Sequence, residues 1–203
     1  IQDVPYWEKF VRRIYDTEKC RIYLSGSSSK LLSKEIATSL RGRTLTYEIF
    51  PLGFREFLLF KGVKYIPYSS KSLAEVKNFF NEYLWRGGFP EVVNYNQEIW
   101  RKTLQEYFNL IIYKDIVERY KVTNLSIIKY LAKNLIKNCS LLMSVNKIYN
   151  DLKSQGFQIS KNTIYDYISF FEDAFIIFLL PIFSYFIRKE WRNPRKVYAI
   201  DIA

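Results

Sequence analysis

The chain has 203 residues, of which 49% are hydrophobic and 18% aromatic, and its formal net charge is +11. This composition predicts one large or two small folded domains and excludes an intrinsically disordered protein. The sequence contains no histidine, which excludes histidine-based catalytic triads and histidine-ligated metal sites. The two cysteines, Cys20 and Cys139, have a spacing that indicates neither a zinc site nor a disulfide framework.

The sequence favours a soluble cytoplasmic protein without membrane contact. No signal peptide is evident at the start. The longest apolar run, residues 174–187, contains Pro181 and is shorter than the ~20 residues of a membrane-spanning helix. The positive charge is spread along the chain, so it permits binding of nucleic acid or nucleotide without indicating where.

The first part of the chain alternates helical and strand patterns. Residues 3–16 have the apolar spacing of an amphipathic helix. Short strands are predicted at 22–24 and 44–50, separated by a polar loop at 26–29 and a helix at 31–40. This order is typical of a mostly parallel sheet, in which ligands bind beside the carboxyl ends of the strands.

The middle of the chain is predicted to be almost entirely helical. Apolar side chains recur at helical spacing over residues 73–85, 97–120 and 125–136. Gly87 and Gly88 are expected to end the first of these helices, because glycine is the common residue just past a helix C-terminus.

Residues 144–200 predict two helices followed by two strands. Ser144 and Ser160 each precede a helical pattern and are candidate N-caps, and apolar strands are predicted at 175–180 and 197–200. Together with the preceding helix, this order matches a winged helix-turn-helix.

Several consecutive motifs resemble the later part of the AAA+-like ATPases that are common in archaea and many bacteria. The motifs are IQDVPYW at 1–7, GSSSKLL at 26–32, LRGR at 40–43, FPLGFREF at 50–57 and NPRKVY at 193–198. In that family Ile1 would follow directly on the Walker B strand. The sequence has neither a Gly-rich loop with Lys-Ser/Thr nor an Asp-Glu strand. We therefore expect a truncated piece of a longer protein; the alternative is a degenerate relative that never binds nucleotide.

The resemblance implies an α/β domain followed by a mainly helical region. The expected divisions are the C-terminal part of a P-loop, AAA+-like parallel-sheet core at 1–62, a helical lid or connector at 63–123, and a winged-helix domain, truncated at its C-terminal end, at 124–203.

The resemblance also implies the candidate catalytic residues. It places Ser27 and Ser28 at the sensor 1 position, where either hydroxyl could hydrogen-bond the γ-phosphate or the attacking water. Arg41 and Arg43 are both candidates for contacts to phosphate oxygens, in the same subunit or a neighbour. The structural alternative is a polar loop that caps the next helix, with arginines that stabilise its C-terminus.

The function implied is that of the sensor half and C-terminal winged-helix region of an ATP-binding and ATP-hydrolysing protein. ATP and Mg²⁺ would bind to the complete protein, whose N-terminal Walker A/B half is the implied partner. No cofactor is expected on this chain alone, and we expect it to be inactive alone.

The alternative is a non-enzymatic winged-helix module that binds DNA or a protein partner. The second helix of that module, residues 160–173, has one basic and three acidic residues, which disfavours insertion into the major groove. The wing has five basic residues and one acidic residue, which favours non-specific backbone contact, although a wing often packs on another domain. The basic wing residues are Arg188, Lys189, Arg192, Arg195 and Lys196. Asp201 is an isolated carboxylate and does not support nuclease activity.

Overall fold

The computed structural model describes residues 6–26, 45–185 and 194–201. Its helices are α1 (Trp7–Thr17), α2 (Phe54–Phe60), α3 (Ser70–Arg86), α4 (Gln97–Leu110), α5 (Leu125–Lys137), α6 (Val145–Ser154) and α7 (Lys161–Asp173). A 3₁₀ turn lies at Pro90–Val92 and a π-helical segment at Ile111–Glu118. The strands are β1 (Leu142–Met143), β2 (Ile177–Leu180) and β3 (Arg195–Ala199).

The described residues divide into two compact units. The first comprises residues up to 48 together with 113–198, and the second comprises 49–112 together with the residues from 199 onward. No helix in the described ranges has both the length and the apolar character that crossing a membrane requires.

The predicted strands at 22–24 and 44–50 are wrong for the described residues. Neither residues 21–26 nor residues 45–50 form a helix or a strand, so the predicted P-loop parallel sheet is absent from the described part of the chain. The apolar pattern records which side chains are suited to burial, whereas a strand forms only when a neighbouring strand binds its backbone groups. The described residues provide no such neighbour to either segment.

The helix predicted at 31–40, and all but the first residue of the loop predicted at 26–29, lie outside the described residues. The other helical predictions are confirmed with shifted ends. The helix predicted at 73–85 begins at Ser70, because the Ser69 hydroxyl accepts a hydrogen bond from the Ser72 amide (3.3 Å) and caps the first turn. The helix predicted at 97–120 is α-helical to Leu110 and then widens into the π-helical segment. The fully buried Ile112 and Ile116 lie in that segment.

Helices α5, α6 and α7 and the three strands build the C-terminal part of the first unit. The predicted caps are confirmed: Ser144 accepts from the Lys147 amide (3.4 Å), and Ser160 accepts from the Thr163 amide (3.1 Å). The strand order is β1-β3-β2, and β1 pairs antiparallel with β3. The fully buried apolar side chains here include Ile127, Ile128, Leu131, Leu135, Leu152, Ile164, Phe171 and Ile177.

In the second unit, α2 packs on α3 through aromatic rings. The ring of Phe54 lies 5.0 Å from that of Phe80, and the ring of Phe57 lies 5.3 Å from that of Tyr83, both edge to face. Phe57 is completely buried. These contacts fix α2, which ends the motif at 50–57, against the helical region that follows it.

Candidate functional site

Most of the predicted site residues lie outside the described residues. This applies to Ser27, Ser28, Arg41 and Arg43 of the predicted nucleotide site and to Arg188, Lys189 and Arg192 of the predicted wing. Their roles stay predictions. The structure does describe the chain segments on either side of residues 27–44, and the strands β2 and β3 on either side of residues 186–193.

Arg195 and Lys196 begin strand β3, which pairs with β1. Met143 lies opposite Arg195, and Leu142 lies opposite Lys196. Lys196 is exposed and Arg195 is half-buried. Strand pairing with β1 therefore holds the backbone of both basic residues.

Helix α7 exposes less negative charge than its sequence suggests. Asp173 is buried, and its carboxylate accepts a hydrogen bond from the Tyr120 hydroxyl (2.8 Å). The ring of Tyr120 stacks on that of Phe170, with centroids 3.7 Å apart. Burial and the hydrogen bond to Asp173 raise the pKa of Tyr120 to about 12. The Asp173 carboxylate, which the count of acidic residues in α7 treats as a surface charge, is therefore part of the core.

A cavity of about 380 Å³ lies between the start of α6, helix α7 and strands β2 and β3. Its polar lining includes Ser144, Tyr165, Ser169, Glu172 and Arg195. Hydroxyl, carboxylate and guanidinium groups can hydrogen-bond a small polar ligand. In the ranges that the structure describes, no group of three or more His, Cys, Asp or Glu side chains is placed to hold a metal ion.

The segment that ends at residue 49 has an alternating apolar pattern that the described structure leaves in solvent. Leu45, Tyr47 and Ile49 are 84%, 77% and 93% exposed, while Thr46 and Glu48 lie between them. The residues 45–49 make no backbone hydrogen bond with any described residue. If these residues were paired in a strand, the alternation would place the three large apolar side chains on one face of it.

The segment before residue 27 likewise has no strand partner among the described residues, but two of its apolar side chains pack on α1. Ile22 and Leu24 are half-buried against Trp7 and Val11 of α1, while Tyr23 is exposed. Residues 21–26 form no strand. Side chains of this segment therefore pack on α1, although residues 21–26 pair with no strand among the described residues.

A tightly packed junction in the second unit involves Gly88. The Leu52 amide donates to the Gly88 carbonyl (2.7 Å), and the Gly88 amide donates to the Asp201 carboxylate (2.7 Å). The Tyr83 hydroxyl donates to the Leu52 carbonyl (2.9 Å). Burial, and then the charges of Asp201 and Glu56, raise the pKa of Tyr83. The Asp201 carboxylate, isolated in the sequence, therefore holds a backbone amide in place.

Two family models match the chain. Residues 1–58 match an AAA domain, and residues 77–203 match a domain of unknown function, DUF8612. The first match covers α1, residues 21–26 and 45–49, and nearly all of α2. The second covers most of α3 and everything that follows.

The chain is also similar to two curated proteins. It is 46% identical over 203 residues to the uncharacterized protein MJ1544 of Methanocaldococcus jannaschii, a match that covers 99% of this chain and 45% of the relative. It is 35% identical over 178 residues to an uncharacterized protein of Haemophilus influenzae, covering 88% of this chain and 43% of the relative. The chain thus spans less than half the length of each of these relatives.

No solved structure matches the chain. The DUF8612 match extends over more than half of the 203 residues. The chain therefore belongs to the DUF8612 family, with a segment similar to an AAA domain at its start.

Proposed function

We propose that this chain supplies the sensor half and the C-terminal winged-helix region of an ATP-binding and ATP-hydrolysing AAA+-like protein, and that it is inactive alone. One observation carries the proposal. Within the match to an AAA domain, residues 1–58, the segments 21–26 and 45–49 pair with no strand among the described residues, and the second of them exposes Leu45, Tyr47 and Ile49 to solvent.

The partner that suits these segments is a β-sheet in the remainder of the same protein. An unpaired strand exposes a row of backbone donors and acceptors, which another strand satisfies. Fully burying a leucine or isoleucine contributes about 1.5–3 kcal/mol. The relatives have more than half of their length outside the region matched by this chain, which leaves room for such a sheet.

Within that protein, the roles of the candidate catalytic residues are limited to positioning and charge. Ser27 or Ser28 would hydrogen-bond the γ-phosphate or the attacking water, and Arg41 or Arg43 would contact phosphate oxygens. Mg²⁺ bound with ATP would neutralise charge that develops on the phosphates. We assign no magnesium ligand to the described residues of this chain.

The region from α5 to β3 supports a winged helix-turn-helix. Three helices are followed by two strands, and the short strand β1 between α5 and α6 completes a sheet of order β1-β3-β2. This order agrees with the connectivity expected of a winged helix, in which β2 and β3 would form the wing. In the proposed protein this region would be the part that moves in response to the nucleotide.

The second candidate function is a binding module for DNA or a protein partner. The observation in its favour is that β3 begins with the half-buried Arg195 and the exposed Lys196. Helix α7 contributes little to DNA binding, because its exposed Asp166 would repel phosphates in the major groove. DNA contact would therefore be made between basic side chains of the wing and the DNA backbone, and not by groove insertion.

The proposal predicts that the double variant Leu45→Lys/Ile49→Lys has different effects in two polypeptides. In the 203-residue chain, these side chains are already in solvent, so the free energy of unfolding should change by less than about 0.5 kcal/mol. In a polypeptide of the relatives' full length that carries this sequence, the same change should cost at least about 3 kcal/mol, because two apolar contacts with the sheet are lost. Urea denaturation measures both.

The matched control is Leu110→Lys, at a half-exposed leucine that ends α4 outside the AAA match. It should have the same small effect in both polypeptides. Equal small effects of Leu45→Lys/Ile49→Lys in the two polypeptides would show that this segment joins no sheet, and would contradict the proposal.

A further inference from the structure

The loop between α2 and α3 has an unusual composition. Between Glu56 and Glu75 the chain has three lysines, Lys61, Lys64 and Lys71, and no acidic residue. The centre of the loop reads Lys64-Tyr65-Ile66-Pro67-Tyr68. Every residue of this run is exposed, and Tyr68 is exposed completely. The loop therefore combines aromatic rings with positive charge at one place on the second unit.

Tyr68 adopts a backbone conformation that is unfavourable for an aromatic residue. Its φ angle is +63°, in the left-handed region, which residues with a Cβ seldom occupy. Since the side chain contacts solvent, burial of the ring does not account for this conformation. Unfavourable backbone conformations that the surroundings enforce are concentrated at binding and catalytic sites.

The surroundings that enforce the conformation are a set of side-chain hydrogen bonds to the loop. The hydroxyl of the buried Ser72 accepts from the Ile66 amide (2.9 Å). The Ser69 hydroxyl caps α3 through the Ser72 amide, and the Ser69 amide donates to the Ile66 carbonyl (3.4 Å). These bonds connect residues 66–72 in one hydrogen-bonded turn. A partner would meet a preorganised loop, which lowers the entropy cost of binding.

Lys61 and Lys64 of the loop and Lys71 in the first turn of α3 divide into one structural and two available charges. Lys61 contacts Glu82 (3.2 Å) and donates to the Val93 carbonyl (3.1 Å), so its charge is already compensated. Lys64 and Lys71 are exposed, and neither pairs with a carboxylate of the described residues. Two ammonium groups therefore flank the two tyrosines and can contact anions.

We propose that this loop is a binding platform for single-stranded nucleic acid, in which bases stack on Tyr65 and Tyr68 while Lys64 and Lys71 contact the phosphates. Rings with free faces next to uncompensated cations are the combination that non-specific single-strand binding uses. A duplex hides the faces of its bases, and residues 64–68 form neither a helix nor a β-ribbon that could enter a groove. Binding should therefore favour single strands and tolerate any sequence. This inference does not rest on the ATPase proposal, because it uses only residues 56–93.

The test is fluorescence anisotropy of a labelled 20-nucleotide oligo(dT) with the 203-residue chain. Replacing two stacking rings in Tyr65→Ala/Tyr68→Ala should weaken binding at least about tenfold. Lys64→Ala/Lys71→Ala should weaken it and lower the slope of log affinity against log salt by roughly 1.4, since each single-strand phosphate contact contributes about 0.7. A duplex of the same length should bind the unmodified chain more weakly than oligo(dT).

Three controls separate the loop from other surfaces. Trp85→Ala removes a ring near the end of α3 whose exposure lies between those of Tyr65 and Tyr68. Lys133→Ala/Lys137→Ala removes two exposed lysines of α5. Both variants should leave oligo(dT) binding unchanged. Arg195→Ala/Lys196→Ala reports on the wing. Circular dichroism establishes that each variant is folded.

Two results would overturn the proposal. One is oligo(dT) binding that the tyrosine variant leaves unchanged, including binding lost only in the wing variant, which would favour the wing as the nucleic-acid surface. The other is the absence of oligo(dT) binding while vesicles of anionic lipid bind the unmodified chain and not Tyr65→Ala/Tyr68→Ala, which would assign the loop to a membrane surface.

Discussion

Phe171→Ala is expected to lower the free energy of unfolding of the chain by about 4 kcal/mol. Phe171 lies on α7 and is completely buried. Truncation of a buried phenylalanine removes its transfer free energy and leaves a cavity, and such changes cost 3–5 kcal/mol. The expected loss is a large fraction of the roughly 5–15 kcal/mol that stabilise a typical domain. Urea denaturation followed by circular dichroism at the helix band measures it.

Tyr165→Ala, six residues earlier on the same helix, is the matched control. Tyr165 is 59% exposed and lines the cavity beside α7. Its removal should change the free energy of unfolding by less than about 1 kcal/mol, because little apolar area is lost from the core. Similar effects of the two substitutions would mean that α7 does not bury the face that contains Phe171, and the helical arrangement proposed as a winged helix would be wrong.

Gly88→Ala is expected to destabilise the second unit by about 3 kcal/mol. A Cβ atom at position 88 would lie 2.2 Å from the Leu52 carbonyl oxygen and 2.9 Å from the Leu52 nitrogen. Both are backbone atoms, so the strain cannot be relieved by rotating a side chain. Separating the two segments would also weaken the hydrogen bonds that Gly88 makes to Leu52 and Asp201. Tryptophan fluorescence reports on this unit through Trp85 and Trp100.

Gly53→Ala controls for the effect of a methyl group on a glycine in the same unit. Its nearest neighbour would be the Glu56 carboxylate at 3.6 Å, an ordinary contact, and its φ angle of −68° suits any residue. We expect a change below about 1 kcal/mol, arising from its position as the N-cap of α2. If Gly88→Ala were as mild as Gly53→Ala, the close approach of residues 52 and 88 would not exist in solution.

The Gly88 junction also bears on how the two family matches relate. Leu52 lies within the AAA match, whereas Gly88 and Asp201 lie within the DUF8612 match. These residues hydrogen-bond inside one compact unit. The boundary between the family matches is therefore not a boundary between folded units. A displacement of Leu52, in the AAA match, would therefore break or lengthen its hydrogen bonds with Gly88 and Tyr83, which lie in the DUF8612 match.

Local features of the fold were predictable from the sequence. The caps at Ser144 and Ser160 follow from hydroxyl side chains that precede an apolar helical pattern, and both are confirmed. The helical middle of the chain follows from apolar spacing in the same way. Strand β1 was missed because Leu142–Met143 is too short to give a periodic pattern.

Features that depend on distant residues were not predictable. The strands expected at 22–24 and 44–50 need partners that no local pattern supplies. The pairing of Asp173 with Tyr120 joins residues 53 positions apart, and that of Asp201 with Gly88 joins residues 113 positions apart. From the sequence alone, both carboxylates would be expected to lie in solvent. The candidate residues Ser27, Ser28, Arg41 and Arg43 rest on the family resemblance alone.

The most direct test of the proposed function is a comparison of ATP hydrolysis by two purified polypeptides. One is the 203-residue chain, and the other is a polypeptide of the relatives' full length that carries this sequence. The proposed function predicts no turnover by the chain and measurable turnover by the longer polypeptide. It also predicts that at least one of the variants Arg41→Ala and Arg43→Ala of the longer polypeptide loses at least about tenfold in turnover, because one of the two arginines is proposed to contact the phosphates. Turnover by the 203-residue chain itself, or none by a folded full-length polypeptide, would contradict it.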